Sequence, residues 1–232
     1  LIVLAVDTAT EICSVAFSRD EQIIGDCRLS IHRAHSERLL QLIKNISENI
    51  NLKLEEIDLI SISGGPGSFT GLRIGMATAK GLAFALQRPL IAIVTLEALA
   101  FQGAFHSGLI CPVLKARTNE VYTALFENKT GADKPVLVAD YRLLPLAALK
   151  DFVPTGSLLI GNGIIHYRAQ IQNLLGNSVV FARELESQLS AAATAILGLR
   201  KYQEFQKDEA QFLEPFYIQE FTVKRPQPVA TR

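Results

Sequence analysis

The stretch from Ser63 to Gly75, Ser-Gly-Gly-Pro-Gly-Ser-Phe-Thr-Gly-Leu-Arg-Ile-Gly, constrains this chain more than any other. It follows the apolar run Ile57 to Ile62 and opens a segment rich in small residues, Met76 to Leu86, so it reads as a strand, a glycine turn and a helix. Gly64, Gly65 and Gly67 let the backbone approach a neighbour closely, Pro66 stiffens the turn, and Ser68 or Thr70 can cap the helix. Such a turn can hold a phosphate on its bare N–H groups, and it can equally let the chain turn tightly against another segment. It is not a P-loop, because the Gly-Lys-Ser/Thr ending is missing. It is not a dinucleotide fingerprint either, because the glycine spacing is wrong.

Around this turn the periodicity lays out two similar halves. Leu1 to Val6 is a continuous apolar run, as in a strand buried on both faces, and ends in Asp7-Thr8-Ala9-Thr10. Ile12 to Ser18 and Gln22 to Leu29 predict a hairpin, and His35 to Ile50 a helix with Ser36 as its cap. Strand Ile57 to Ser63, helix Thr70 to Leu86, strand Leu90 to Val94 and helix Leu96 to Phe105 complete the first half. In the second, Leu109 to Ala116, Glu120 to Glu127 and Pro135 to Ala139 predict strands and Leu144 to Phe152 a helix. Strand Ser157 to Ile160, helix Ile165 to Leu175, strand Ser178 to Phe181 and helix Ser187 to Phe205 follow. Each half is thus three strands followed by alternating helices and strands. That order describes an α/β chain of duplicated actin-like lobes, the class of actin, sugar kinases and heat-shock ATPases (ASKHA, with RNase H-like sheets). The expected division is residues 1–106, 107–210 and a tail, 211–232.

Composition narrows the function. With 23 basic and 23 acidic residues in 232, the formal net charge is zero and offers no general field for a polyanion. Cys13, Cys27 and Cys111 are odd in number and form no CxxC pair, which favours buried thiols in a reducing compartment, the cytoplasm. No apolar run is long enough for a membrane span, and Leu1 to Val6 is too short for a signal peptide.

Four stretches together carry a resemblance: Asp7-Thr8-Ala9-Thr10-Glu11; His35-Ser36-Glu37-Arg38-Leu39-Leu40; Gly65 to Gly75; and Thr95-Leu96-Glu97-Ala98-Leu99-Ala100. They resemble the TsaB (YeaZ) family, a subunit of the bacterial machinery that makes N6-threonylcarbamoyladenosine next to the anticodon of tRNAs reading codons that begin with A. Asn119 to Tyr122, Gly161-Asn162-Gly163 and Glu214 to Tyr217 extend the resemblance more weakly into the second half. It implies a non-catalytic paralogue of the transferase TsaD, which pairs with TsaD, works with the ATPase TsaE, homodimerises in the absence of TsaD and meets tRNA only through the complex. ATP and a metal ion then belong to the partner subunits, and this chain has no cofactor of its own. The metal-binding His-x-x-x-His pair of TsaD aligns with Thr95 and Leu99, neither of which is a ligand of the kind a catalytic metal needs.

The resemblance places the partner interface on the first-lobe helices, at His35, Leu39, Leu42, Ile43, Ile46, Gly71, Leu72, Gly75, Met76 and Ala79. Gly71, Gly75 and Ala79 form a stripe of small residues that admits a second helix, so Gly75→Leu is expected to break pairing and spare the fold. Packing of the two helices on each other within the lobe is the alternative. Residual nucleotide contact would use Asp7, Thr8, Thr10, Gly161 and Gly163, although Asp7 to Thr10 lacks the glycine of a phosphate cradle. Lys115 stands where the family usually has aspartate. His32 and His35 lack a third ligand, and His106 and His166 are isolated. An active phosphotransferase of the same fold and a metallopeptidase-like enzyme are the alternatives to a scaffold. At the C-terminal end, Lys224, Arg225 and Arg232 are locally basic, consistent with a disordered end or an RNA-touching arm.

Overall fold

The computed structural model describes residues 1–30, 35–129 and 131–218, and for 35–37 the backbone alone. His32 and the basic residues Lys224, Arg225 and Arg232 lie outside the described residues, as do the side chains of His35 and Ser36.

The first sheet contains β1 (Ile2–Asp7), β2 (Ile12–Arg19), β3 (Gln22–Ser30), β4 (Leu59–Gly65) and β5 (Leu90–Val94), in the order β3-β2-β1-β4-β5. β2 pairs antiparallel with β1 on one side and with β3 on the other, while β4 and β5 add in parallel to β1. Between them come α1 (His35–Asn49) and α2 (Phe69–Leu86), and after β5 comes α3 (Thr95–Gln102).

The second half repeats the plan with β6 (Gly108–Lys115), β7 (Glu120–Asn128), β8 (Val136–Pro145), α4 (Leu149–Phe152), β9 (Leu158–Ile160), α5 (Asn162–His166), α6 (Arg168–Leu175), β10 (Val180–Phe181), α7 (Glu184–Ser187) and α8 (Ala191–Phe205). Its order, β10-β9-β6-β7-β8, matches the first strand for strand. The duplicated actin-like architecture is therefore present.

Alternation along the strands explains the layers. On β1, Leu4 and Val6 join the cluster under α1 and α2, while Val3 and Ala5 face the opposite cluster, which runs on into the second sheet. On β4, Ile60 and Ile62 face α1 and α2, and Ser61 and Ser63 face α8. α8 crosses back onto the first sheet, where Gly198 lies over Ser61, whose hydroxyl donates to the Thr194 carbonyl at 2.8 Å. A Cβ on Gly198 would collide with Ser61, so glycine on the helix and serine on the strand together set this close approach.

Several boundaries differ from expectation, and four of them have local reasons. β4 starts at Leu59 because Leu54–Glu56 form one tight turn, closed by Lys53 N donating to the Glu56 carboxylate at 2.8 Å. β8 runs to Pro145, pairing Arg142 with Thr123 and Pro145 with Glu120, which shortens the helix expected from Leu144. The helix expected over Ile165 to Leu175 is two pieces, α5 and α6, because Tyr167 leaves helical geometry at φ −120° while its hydroxyl donates to the Arg117 carbonyl at 3.2 Å. α8 starts at Ala191, where the Ser190 hydroxyl accepts from Ala192 N at 3.1 Å.

After α8 the chain straps the edge of the first sheet. Leu90 N donates to Asp208 at 2.9 Å, Glu209 N to Leu90 O at 2.9 Å, and Phe216 N to Gly64 O at 2.7 Å. The expected tail is thus structured through residue 218.

Candidate functional site

The glycine turn meets the β1–β2 turn directly. Ser68 N donates to Ala9 O at 2.7 Å, and Thr8 Oγ1 donates to Gly71 O at 2.7 Å. Side chains on Gly67, Gly71 and Gly75 would strike Ala9 O, Thr8 O and Thr8 Oγ1 respectively. Of the two uses open to such a turn, this is tight packing: the first turn of α2 is occupied by the chain's own backbone and Thr8. The Ser68 hydroxyl caps α2 by accepting from Gly71 N at 3.2 Å.

Asp7 ends β1 and is 1% exposed. One carboxylate oxygen accepts from Ser63 Oγ, the other from Ala9 N at 3.0 Å. Ser63 Oγ lies 3.3 Å from Thr194 Oγ1, so the carboxylate is linked through Ser63 to α8. Burial raises its pKa from 3.8 to about 6, against the lowering effect of the Ser63 and Ala9 hydrogen bonds. Both carboxylate oxygens thus have a partner from the protein, a serine hydroxyl and a backbone amide.

The two halves are latched at the opposite side of the β1–β2 turn. Asn162, at the start of α5, accepts from Lys115 N at 2.9 Å and donates to Glu11 Oε2 at 3.0 Å. His166 Nε2 lies 3.2 Å from Glu11 Oε1. Burial pushes the Glu11 carboxyl up, but its backbone N–H, the Asn162 amide and His166 together hold it below the usual range. Gly161, at φ 118°, and Gly163 permit this, because a side chain on either would meet the Val113 carbonyl. Both glycines thus serve close packing of α5 on β6. Asp7, Thr8 and Thr10 are buried, and Thr10 Oγ1 accepts from Ile12 N at 3.1 Å. The five residues considered for nucleotide contact all make close contacts inside the protein.

Glu11, Asn162 and His166 are what sequence reasoning missed as a set. His166 read as isolated, and only topology brings α5 across to the β1–β2 turn. Cys13 and Cys111 are buried, and burial pushes their thiols up to about 11 and about 12, so they are packing residues. Thr95 and Leu99 are fully buried in α3. Among the described residues no three His, Cys, Asp or Glu side chains are grouped to hold a metal, and no helix is long and apolar enough to cross a membrane.

The expected partner stripe needs correction as geometry. Gly71, Leu72, Gly75, Met76 and Ala79 are all buried, the glycines against Thr8 and β4, Met76 and Ala79 in the cluster under α1 and α2, and Leu72 in the opposite cluster. On α1, Leu39, Leu42 and Ile43 are buried in the same cluster, and Ile46 lies over Gly25 of β3. The side chain of His35 lies outside the described residues. The outward face of α2 is instead Thr70, Arg73, Ala77, Gly81 and Phe84, with Leu40 of α1 also exposed. Gly81 has open space where a Cβ would go.

These features define a protein of the actin-like ATPase fold whose two halves are joined at the β1–β2 turn by the Glu11–Asn162–His166 latch. A family profile described as "TsaD: tRNA N6-adenosine threonylcarbamoyltransferase" matches residues 29–142. The chain is 30% identical over 233 residues to tRNA threonylcarbamoyladenosine biosynthesis protein TsaB of Haemophilus influenzae, covering 94% of this chain and 93% of that one. It is 29% identical to the protein of the same name in Bacillus subtilis, over 87% of this chain and 88% of that one. The solved structure of YeaZ from Pseudomonas aeruginosa superposes with a TM-score of 0.76 at 27% identity, covering 93% of this chain and 99% of that one. Component A of the (R)-2-hydroxyglutaryl-CoA dehydratase of Acidaminococcus fermentans, 10% identical with a TM-score of 0.52 over 88% of this chain and 99% of that one, shares the fold alone. The chain belongs to the TsaB family.

Proposed function

We propose that this chain is a non-catalytic subunit in the formation of N6-threonylcarbamoyladenosine next to the anticodon of tRNAs that read codons beginning with A. It pairs with a TsaD-type transferase, acts with a TsaE-type ATPase, forms a homodimer when the transferase is absent, and works in the cytoplasm without a cofactor of its own. The observation that carries the reading is the outward face of α2, where Ala77 and Gly81 leave room for a second helix between Arg73 and Phe84, with Leu40 exposed on α1. Burying such side chains contributes about 1.5–3 kcal/mol each, against association costs of about 4–15 kcal/mol, so a pairing that also covers the neighbouring turns is needed for a stable dimer. Thr95 and Leu99, the residues that the resemblance aligns with the metal pair of TsaD, are not metal ligands, which supports a supporting role over transfer.

The test is reconstitution with the transferase, the ATPase, threonylcarbamoyl-adenylate and an unmodified tRNA transcript, with light scattering behind a sizing column in parallel. Modification that depends on this chain, together with conversion of a homodimer to a heterodimer, is the expected result. A chain indifferent to the transferase overturns the reading and reopens an active phosphotransferase, which titration calorimetry with Mg²⁺-ATP then tests.

A further inference from the structure

Each sheet ends in two edge strands, and three of these four are protected within the described residues. β5 is covered by the strap, where Glu209 N donates to Leu90 O at 2.9 Å and Ala92 N donates to Glu209 Oε2 at 2.8 Å. β10 is two residues long, and β3 carries Asp26 and Arg28, charges of the kind that keep an edge from pairing. β8 is different. It is ten residues long and opens on Val136, Leu137 and Val138, which are 55, 37 and 48% exposed. A long apolar edge with unpaired backbone groups is a template for another strand.

A cavity of about 170 Å³ lies beside the same end of β8, between the strand, α3 and α8. Phe101, Phe126, Val136, Leu137 and Leu197 give it an apolar lining. It is smaller than the ~300–1,000 Å³ typical of small-molecule sites and suits a single side chain. Its carboxylate, Glu97, is already engaged, accepting from the Tyr141 hydroxyl at 2.6 Å. A strand edge beside a side-chain pocket is the arrangement by which sheets take up an extended segment: the backbone supplies affinity and the pocket supplies selectivity.

The chain itself brings such a segment to this edge. The Phe216 ring lies 5.7 Å from that of Tyr141 on β8, and Ile218 packs on the main core cluster. Residues 219–232 lie outside the described residues. In sequence, Gln219 to Arg225 alternates Phe221 and Val223 with Glu220, Thr222 and Lys224, a strand pattern that Pro226 closes.

The geometry points to Gln219–Arg225 as a further strand of the second sheet, added antiparallel along β8 with Phe221 at the cavity beside Val136. Phe221 is five residues past Phe216 and Val136 five before Tyr141, so both paths span ~17 Å when extended. The direction follows from what β8 offers. Toward its start the edge is open from Asp140 to Val136, whereas Tyr141 N already donates to the Asp140 carboxylate at 2.8 Å and the strand ends at Pro145. A segment tethered a few residues away acts at an effective concentration of about millimolar, which favours it over a second copy or a partner's strand at the same edge. The assignment goes beyond the subunit reading and does not rest on it.

Hydrogen exchange of the full chain over residues 136–141 reads the edge, and exchange in β1 and β4 serves as the control for the fold. Wild type is expected to be protected at Val136 to Ala139, and Phe221→Glu to exchange there at least tenfold faster with β1 and β4 unchanged. A Val136→Cys, Phe221→Cys pair is expected to close a disulfide within one chain on mild oxidation, absent from either single variant. Three results overturn the assignment. A disulfide formed only between chains gives the edge to a second copy. Protection that appears only with added transferase, and survives Phe221→Glu, gives it to a partner's strand. Exchange unchanged by Phe221→Glu in the chain alone removes the segment from the edge altogether.

Discussion

The Thr8 hydroxyl sits beneath Gly75, where a Cβ on that glycine would fall, while donating to the Gly71 carbonyl at 2.7 Å. The small-residue stripe of α2 is therefore a seat for the β1–β2 turn of the same lobe. Gly75→Leu should destabilise the protein itself, by more than the ~1–3 kcal/mol typical of overpacking, because the obstacle is a buried hydrogen-bonded side chain that cannot swing aside. Urea denaturation compared with wild type checks this; an unchanged midpoint with lost pairing would restore the stripe to the partner interface.

That reassignment shows what periodicity can and cannot carry. The i, i+4, i+8 spacing of Gly71, Gly75 and Ala79 correctly marked a close approach, but spacing does not say which neighbour makes it. Strand β5 was legible residue for residue because a short β-branched run between Pro89 and Thr95 has one reading. The break at Tyr167 was not, because its cause is a hydroxyl reaching Arg117 and Asn119 about fifty residues away. The Glu11–Asn162–His166 latch was hidden likewise: its members are ordinary polar residues until the duplicated topology brings the two halves together.

Asp7 should cost the protein stability at neutral pH. Its folded pKa is raised from 3.8 to about 6, so the folded state binds more protons than the unfolded one between these values, and stability falls as pH rises through that window. The rise corresponds to up to ~3 kcal/mol at pH 7 relative to pH 3. Asn at this position can still accept from Ala9 N and donate to Ser63 Oγ, so Asp7→Asn is expected to be at least as stable at pH 7 and to flatten the profile between pH 4 and 6. Denaturant midpoints at half-unit pH steps measure it; an Asn variant that loses several kcal/mol at pH 7 would mean the charged carboxylate is what the fold requires.

The latch makes a second pH-dependent prediction with the opposite chemistry. Asn162→Asp keeps an acceptor for Lys115 N but sets its second oxygen against Glu11 Oε2, where the amide now donates at 3.0 Å. Loss of the donor and the new repulsion are expected to destabilise by about 1–3 kcal/mol at pH 7 and less at pH 4, where a shared proton restores the bond. His166→Ala should cost less, about 0–1 kcal/mol, because that pair is partly exposed. Hydrogen exchange at residues 10–12 and 161–166 reads the latch directly, and equal protection in Asn162→Asp would dismiss it.

Pairing should respond to the outward face of α2 and not to its buried stripe. Gly81 has no neighbouring atom where a Cβ would go, and Ala77 is exposed one turn earlier, so Gly81→Leu and Ala77→Arg can be accommodated without disturbing the lobe. Replacing a helix-interior glycine by leucine even favours the helix by about 0.5–1 kcal/mol. A partner helix seated over Ala77 and Gly81 would instead meet a bulky or charged side chain at its closest approach, and the pairing constant should fall at least tenfold. Light scattering of each variant, alone and with the transferase, gives the pairing, and thermal melting gives the fold. Lost pairing with an unchanged or raised melting temperature is the expected pattern; full pairing in both variants would place the partner on another surface.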